Sequence, residues 1–498
     1  MASKKSAATA SNPPLDFLKS ELETHHDSVF EHLSAHLVSR LLGDVAITVS
    51  KSGYQVGADA GTAGLRGRRL RIECKRYQES TGLRSRDLAG EVAESVDDDE
   101  LLEAWVLMAT KKVKENERKL ALRQGQKNGI AVIVIDWTPP ARGAGICALA
   151  ALCATWPDVV EQHLGKKAAA AARALTPIVG PAVDNLRKDL EIWNIGYKSL
   201  REASHTHLKS IWESRRQSRA YLGQDAAGGE PGVHLISRRG PLQDLTSWWN
   251  DPSKLESPAA VTGLEGVGKT WAALDWARQS GDELPIVLVV PSGAFAKDYD
   301  VTVGGIQELL ANTLKGHTKS DLTDRYWRTR VTRLLSRPVT EGPAFFLFLD
   351  GLNQHPHINW TGLAQTLQAD VLLGRVRLLM TCRQSYFQQD LRRFSQIDPR
   401  PVEIPVHVYD DTEFEDVLRL HGMSKDQLHE SLRQLARIPR LFPLVYRLKD
   451  NDALKSDATV HRLLFEYGRD VLEQHERSAF TPDQWAQWLA DRARHHRA

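Results

Sequence analysis

The chain has 498 residues, 42% of them hydrophobic and 26% charged, which excludes a single small module or a globally disordered protein and predicts two or three domains. Lys and Arg number 65 against 63 Asp and Glu, a formal charge of +2, so any nucleic-acid surface must come from local clustering of charge. Four irregularly spaced cysteines, Cys74, Cys147, Cys153 and Cys382, exclude a disulfide framework or a cysteine zinc site and predict a reducing, cytoplasmic setting.

Residues 1–14 are rich in Lys, Ser and Ala and lack the apolar core of a secretory signal, which predicts a disordered tail. The apolar-leaning stretch 144–156 is too short to span a bilayer, so no membrane partner is expected. Residues 15–138 alternate helical and strand-like stretches and end in the apolar run 130–135, predicting one α/β domain. Within it, Asp59 lies between glycines in Gly57-Ala58-Asp59-Ala60-Gly61, ahead of Leu70-Arg71-Ile72-Glu73-Cys74-Lys75. In a strand, Glu73 and Lys75 project from one face and Leu70, Ile72 and Cys74 from the other. A hairpin bringing Asp59 beside Glu73 could bind Mg²⁺, and Lys75 could position or deprotonate a water for attack on a phosphodiester. Arg66, Arg68, Arg69, Arg71, Lys75 and Arg76 gather positive charge around this point, as DNA phosphates require.

This ordered set, with Phe30-Glu31 on a preceding helix, resembles the PD-(D/E)XK nuclease superfamily, and in particular its Mrr-like branch. The resemblance implies a restriction-endonuclease-like α/β domain. It implies catalytic roles for Asp59, Glu73, Lys75 and the helical Glu31, with Asp59 and Glu73 as magnesium ligands.

Helical spacing over 139–223 predicts a connector, and the run 224–232 is a Gly-rich break. From 233 to 410, short apolar runs at 259–261, 286–290, 344–349, 376–380 and 404–408 recur between helical segments, and those apolar at every position, such as 344–349, predict a doubly wound sheet with helices on both faces. Gly263-Leu-Glu-Gly266-Val-Gly268-Lys269-Thr270 fits G-x-x-x-x-G-K-[ST] between a strand and a helix. Its glycines let backbone N–H groups surround phosphate oxygens, Lys269 contacts the β and γ phosphates, and Thr270 ligates Mg²⁺. Asp350, ending the run Phe345-Phe-Leu-Phe-Leu349, supplies the carboxylate for the same ion. Thr381 and Arg383 follow the next strand and could be aimed at the γ phosphate. Residues 411–498 are expected to be wholly helical.

The loop 263–270, the segment Leu349-Asp350-Gly351-Leu352-Asn353-Gln354 and Leu379-Met-Thr-Cys-Arg383 resemble the Walker A, Walker B and sensor 1 segments of STAND-class NTPases, which include NACHT proteins. The resemblance implies an ATP-controlled switch that oligomerises on activation, with helical and winged-helix-like segments after the sheet. The segment 438–444, with Pro439 and Pro443, resembles the proline-containing stretch near the adenine. Asn353 and Gln354 stand where acidic residues often follow Walker B and cannot act as a general base, which predicts slow hydrolysis.

Together these readings predict an ATP-regulated, Mg²⁺-dependent DNA endonuclease assembled as a homo-oligomer, with a separate sensor protein supplying recognition. The relatives so resembled imply antiphage defence. A non-enzymatic signalling scaffold with a degenerate nuclease fold and an ATP-driven restriction subunit are the alternative readings.

Overall fold

A computed structural model describes residues 12–43, 46–50, 59–61, 69–76, 85–99, 101–139, 145–192, 196–229, 236–281, 283–391, 394, 398–449, 459–474, 484, 487 and 488. Residues 1–11 of the expected tail, Gly57, Ala58, Arg66, Arg68 and most of 475–498 lie outside the described residues, whereas Asn12 caps the first helix and Pro13 and Pro14 begin it instead of belonging to a tail.

Helices Pro13–Thr24 and Asp27–Leu41 lead into a sheet of β1 (Thr48–Val49), β2 (Ala60–Gly61), β3 (Leu70–Lys75), β4 (Ala104–Ala109) and β5 (Ala131–Ile135), in that order. β1, β2 and β3 pair antiparallel, whereas β3, β4 and β5 run parallel. Parallel neighbours need crossovers, and helices Ser85–Asp98 and Glu115–Asn128 supply them. β4 is buried at every position: Ala104, Val106 and Met108 face the core shared with Leu18, Phe30 and Leu33, while Trp105, Leu107 and Ala109 face Leu88 and Val92. Layers on both sides explain why its sequence is an apolar run.

The residues between the two sheets divide their packing. Helices Ala148–Thr155, Pro157–Leu164 and Lys166–Leu175 bury Leu149, Leu152, Ala168 and Ala172 in the same core as Leu18, Leu22 and Leu33. The following helices, Tyr197–Glu213 and Arg215–Leu222, lie against the second sheet.

That second sheet contains β6 (Ala259–Gly263), β7 (Ile286–Pro291), β8 (Phe345–Asp350), β9 (Val376–Arg383) and β10 (Val402–Pro405), all parallel, in the order β10-β6-β9-β8-β7. Phe345, Leu347 and Leu349 enter one core and Phe346 and Phe348 the other. The chain leaves β6 for the far edge and returns to β10 on β6's other side. This reversal opens a crevice at the carboxyl ends of β6 and β9. Helices Asp411–Leu420, Glu430–Ala436 and Phe442–Leu448 close a separate apolar cluster with Leu463 of helix Val460–Gln474. Arg238, buried, ties it to the sheet by donating to Glu413 at 3.1 Å and to the Val267 carbonyl at 2.7 Å.

Where helix 197–213 meets helix Val303–Thr318, the rings of His207 and His317 stack with centroids 3.9 Å apart. Burial, aided by Lys319, holds His207 down at about 4; burial, aided by His207, holds His317 down at about 3. Both depressed values mean that the unfolded chain takes up protons first. Stability contributed by the neutral pair is present above pH 6.5 and is lost as the pH falls towards 4. The expected loss is a few kcal/mol, and urea melts of wild type and His317→Phe at pH 7 and pH 4.5 check it: the variant should lose less.

Candidate functional sites

The first site lies where β2 meets β3. Asp59 and Glu73 are both buried, at 7% and 6% exposure. The Cys74 backbone N–H donates to Asp59 Oδ2 at 2.7 Å, and the Asp59 N–H donates to the Ile72 carbonyl at 2.9 Å. The carboxylate from one strand is thereby locked onto the next, beside Glu73. Lys75 pairs with Glu73 and, at 2.8 Å, with Glu91 of helix 85–98. Burial and the Asp59 charge, opposed by Lys75, push Glu73 up to about 7. Burial also raises Asp59, against the Cys74 N–H and Lys75. Glu31, on helix 27–41, is raised by burial and then by the Asp59 charge, so the helix brings it within electrostatic reach of the hairpin. Burial alone would lower Lys75, but Glu73 and Glu91 outweigh it and raise the amine above its ordinary value. Lys75 is therefore an ammonium in this geometry, suited to charge stabilisation and positioning rather than to taking a proton. Among the described residues, no group of three or more His, Cys, Asp or Glu side chains is placed to hold a metal ion. The donor set offered here is the pair of carboxylates, Asp59 and Glu73.

Helix 85–98 brings Glu91 to the face of β3 that carries Glu73 and Lys75. The basic run is also largely compensated: Arg69 pairs with Asp99 at 3.3 Å, Arg71 with Asp98 and Arg76 with Asp27.

The second site lies at the carboxyl ends of β6, β8 and β9. Helix Lys269–Gln279 begins directly after the loop, whose Gly263, Gly266 and Gly268 have φ of 155°, 81° and 89°. Positive φ disfavours side chains, and at Gly263 a Cβ would also stand 2.3 Å from the Val406 carbonyl oxygen. Lys269 Nζ folds back onto the loop, donating to the Gly263 and Leu264 carbonyls at 3.2 and 2.7 Å, and burial lowers it. Buried Asp350 collects three donors: Thr270 Oγ1 at 2.6 Å and Thr381 Oγ1 at 2.7 Å on Oδ1, and Gln224 Nε2 at 2.7 Å on Oδ2. Burial raises its carboxyl, and the Thr270, Thr381 and Gln224 bonds oppose the rise. Arg383 is held at the rim, its N–H donating to Asn353 Oδ1 at 3.0 Å and its guanidinium to Glu265 at 2.5 Å. Arg440 meets the same Glu265 at 3.0 Å.

Apart from Asp350, Gly263, Leu264 and Val406, these groups border a cavity of about 500 Å³ lined also by Arg238, Tyr409 and Pro439. Pro439, not Pro443, lines it; Pro443 starts helix 442–448. Sequence reasoning missed Gln224, Glu265 and Glu91. Glu265 lies inside the recognised loop and could have been noted, whereas nothing in the sequence marks Gln224 or Glu91.

No protein-family model matches the chain, and no curated protein matches it. Among solved structures it is similar to Drosophila ORC bound to DNA, at 13% identity over 49% of this chain and 65% of that one, with a TM-score of 0.31. This chain thus spans just under two thirds of the ORC chain. It is also similar to two mutants of RuvB from Thermotoga maritima, at 14% identity over 48% of this chain and 70% and 71% of theirs, each with a TM-score of 0.27. The glycine loop between β6 and helix 269–279, the strand-end Asp350 and the five parallel strands give this part of the chain a P-loop NTPase-like fold. Among the described residues, no helix is long and apolar enough to cross a membrane.

Proposed function

We propose that the chain is an ATP-regulated, Mg²⁺-dependent DNA endonuclease, activated by nucleotide-controlled homo-oligomerisation and acting in antiphage defence. The observation that carries the nuclease reading is the hairpin geometry: buried Asp59, locked by the Cys74 N–H, beside buried Glu73 and its Lys75 partner. Hard carboxylate oxygens suit Mg²⁺, which is content with one or two protein carboxylates and water. Burial raises the carboxyls of Asp59, Glu73 and Glu31, with the Asp59 charge adding to the rise at Glu73 and Glu31, and a divalent cation bound there would favour their ionised forms. Asp59 and Glu73 hold the ion, and bound there it supplies Lewis acidity for phosphodiester hydrolysis. Lys75 stabilises negative charge on the scissile phosphate, and Glu91 fixes the position of its ammonium.

In the second site, the loop N–H groups and Lys269 bind the triphosphate of ATP, and Thr270 with Asp350 hold its Mg²⁺. Arg383, at the strand end, turns from Glu265 to the γ phosphate. Asn353 supplies no base, so turnover is slow and the bound state persists long enough to act as a switch. A sensor protein acting on this switch and DNA as the substrate complete the reading.

Supercoiled plasmid incubated with the purified chain and Mg²⁺, with and without ATP and a candidate partner, tests it when followed by mass measurement of any assembly. ATP-dependent cutting by an oligomer is the expected result. Cutting by a monomer indifferent to ATP would remove the gate and leave the nuclease, whereas no cutting by an ATP-bound oligomer would favour a signalling scaffold.

A further inference from the structure

Gln224 belongs to neither the glycine loop nor the sheet, yet its amide reaches the two side chains proposed to hold the nucleotide's magnesium. Nε2 donates to Thr270 Oγ1 at 3.0 Å and to Asp350 Oδ2 at 2.7 Å. A polarised N–H₂ between a hydroxyl and a carboxylate does what a cation would do there, at lower strength.

The backbone around it is fixed to the preceding helix. Helix 215–222 ends at Gly223 in the left-handed conformation, φ 69°, and Gln224 follows directly. Ser218 Oγ donates to the Gln224 carbonyl at 2.9 Å and accepts from the Ala226 N–H at 2.8 Å, gripping the segment on both sides of the amide. Further along, the Gly229 N–H donates to the Trp212 carbonyl at 3.0 Å. At Gly228 a Cβ would stand 2.3 Å from the Trp212 ring, so the strand of chain lies flat on that indole. The amide's bonds to Thr270 and Asp350 therefore tether to the nucleotide site a segment otherwise docked only on helices 197–213 and 215–222, and losing them releases 223–229 on that side.

We propose that Gln224 is an affinity-setting residue of the magnesium site: its amide competes with Mg²⁺ for Thr270 and Asp350, and loading of Mg²⁺ with nucleotide displaces it and loosens the 223–229 segment. Oxygen ligands of Mg²⁺ lie at about 2.0–2.1 Å, and an amide nitrogen within hydrogen-bonding distance of both oxygens occupies the same approach. This rests on the nucleotide reading above. It adds which residue opposes metal entry, and it makes the segment leading from the first domain responsive to loading.

The test compares wild type, Gln224→Ala and Gln224→Glu, using calorimetric titration with ATP in Mg²⁺ and in EDTA. A second measurement follows hydrogen exchange in the 215–222 peptide. Removing a hydrogen bond to a charged group that competes with the ligand should tighten ATP binding by Gln224→Ala about tenfold in Mg²⁺, with no gap in EDTA. Gln224→Glu preserves the side-chain length and should also bind tighter in Mg²⁺, because a carboxylate attracts the cation and is repelled by Asp350. In wild type, ATP with Mg²⁺ should raise exchange in 215–222 and ATP with EDTA should not. Equal or weaker Mg²⁺-dependent binding by Gln224→Ala, with wild type binding clearly, overturns this inference alone. Failure of all three proteins to bind ATP overturns the nucleotide reading and this inference with it.

Discussion

Replacing Lys75 with alanine is expected to lower Mg²⁺-dependent plasmid cleavage by about a hundred- to ten-thousand-fold, the usual range for a positioned charged group acting on the reacting atoms. Cleavage retained at wild-type level would remove Lys75 from the chemistry. The loss has two sources. The ammonium proposed to stabilise the scissile phosphate disappears, and Glu73 and Glu91 lose their shared cation. Glu73 then sits buried beside Asp59 with less to keep it ionised, so its affinity for a divalent ion falls as well. Lys75→Arg separates these contributions, because it keeps the charge but not the compact ammonium geometry; metal affinity should largely return while cleavage stays low.

Burial of Glu73 beside Asp59 predicts a pH effect in metal-free protein. Its carboxyl is pushed up to about 7 in the folded chain, against 4.5 for an ordinary glutamate. Between these values the unfolded chain has released a proton that the folded chain retains, so stability falls as pH rises from 4.5 to 7. Glu73→Gln removes that term. In EDTA at pH 8 the variant should be the more stable by roughly 1–3 kcal/mol, with a much smaller gap at pH 4.5, as measured by urea unfolding. Added Mg²⁺ should narrow the gap at pH 8 by stabilising wild type alone.

The elements of the second sheet were legible because their strands are buried on both faces. Runs such as Phe345-Phe-Leu-Phe-Leu349 have no polar position to misassign, and β6, β7, β8 and β9 extend beyond or nearly match the runs read from sequence. The expected strand at 404–408 instead occupies 402–405, since β10 is an edge strand with exposed positions and weak apolar patterning. The loop glycines declared themselves by spacing, and Asp350 by its place after an apolar run. Long-range pairings carry no such signal. Glu91 lies on an ordinary amphipathic helix and Gln224 in a stretch whose glycines suggested only a break, and both act through contacts with distant strands. Charge along the chain is incomplete for the same reason: Arg69, Arg71 and Arg76 stand out in the sequence, and only folding shows that Asp99, Asp98 and Asp27 lie beside them.

A buried ion pair lies at the junction between the two sheets, and Arg330→Met should cost about 3–5 kcal/mol, the range for stranding a buried charge. Arg330 lies on helix Asp324–Leu335 and meets Glu103 Oε1 at 3.0 Å, with the two side chains 3% and 6% exposed. Glu103 directly precedes β4, and it also accepts the Tyr197 N–H at 2.7 Å and the Arg69 N–H at 3.3 Å. One carboxylate therefore joins the P-loop domain, the helix 197–213 and the start of the strand carrying Glu73 and Lys75. Arg333 adds bonds to the Asp99 and Leu102 carbonyls at 2.9 and 3.0 Å. Close contact continues at Gly129, φ 66°, where a Cβ would stand 2.8 Å from the Arg330 backbone nitrogen. If this junction makes the two domains melt together, wild type gives a single calorimetric transition and Arg330→Met divides it into two. Glu103→Gln combined with Arg330→Met should recover much of the loss, because neither partner then leaves an uncompensated charge. A double variant as unstable as the single one would show that shape, rather than charge, holds the domains together. Since Glu103 is bonded to the Arg69 N–H at the start of the strand that carries Glu73 and Lys75 at its other end, the same variants read on cleavage show whether the P-loop domain controls the hairpin through this contact. Cleavage that loses its ATP dependence in Arg330→Met, at a temperature where both domains remain folded, places the coupling at Glu103.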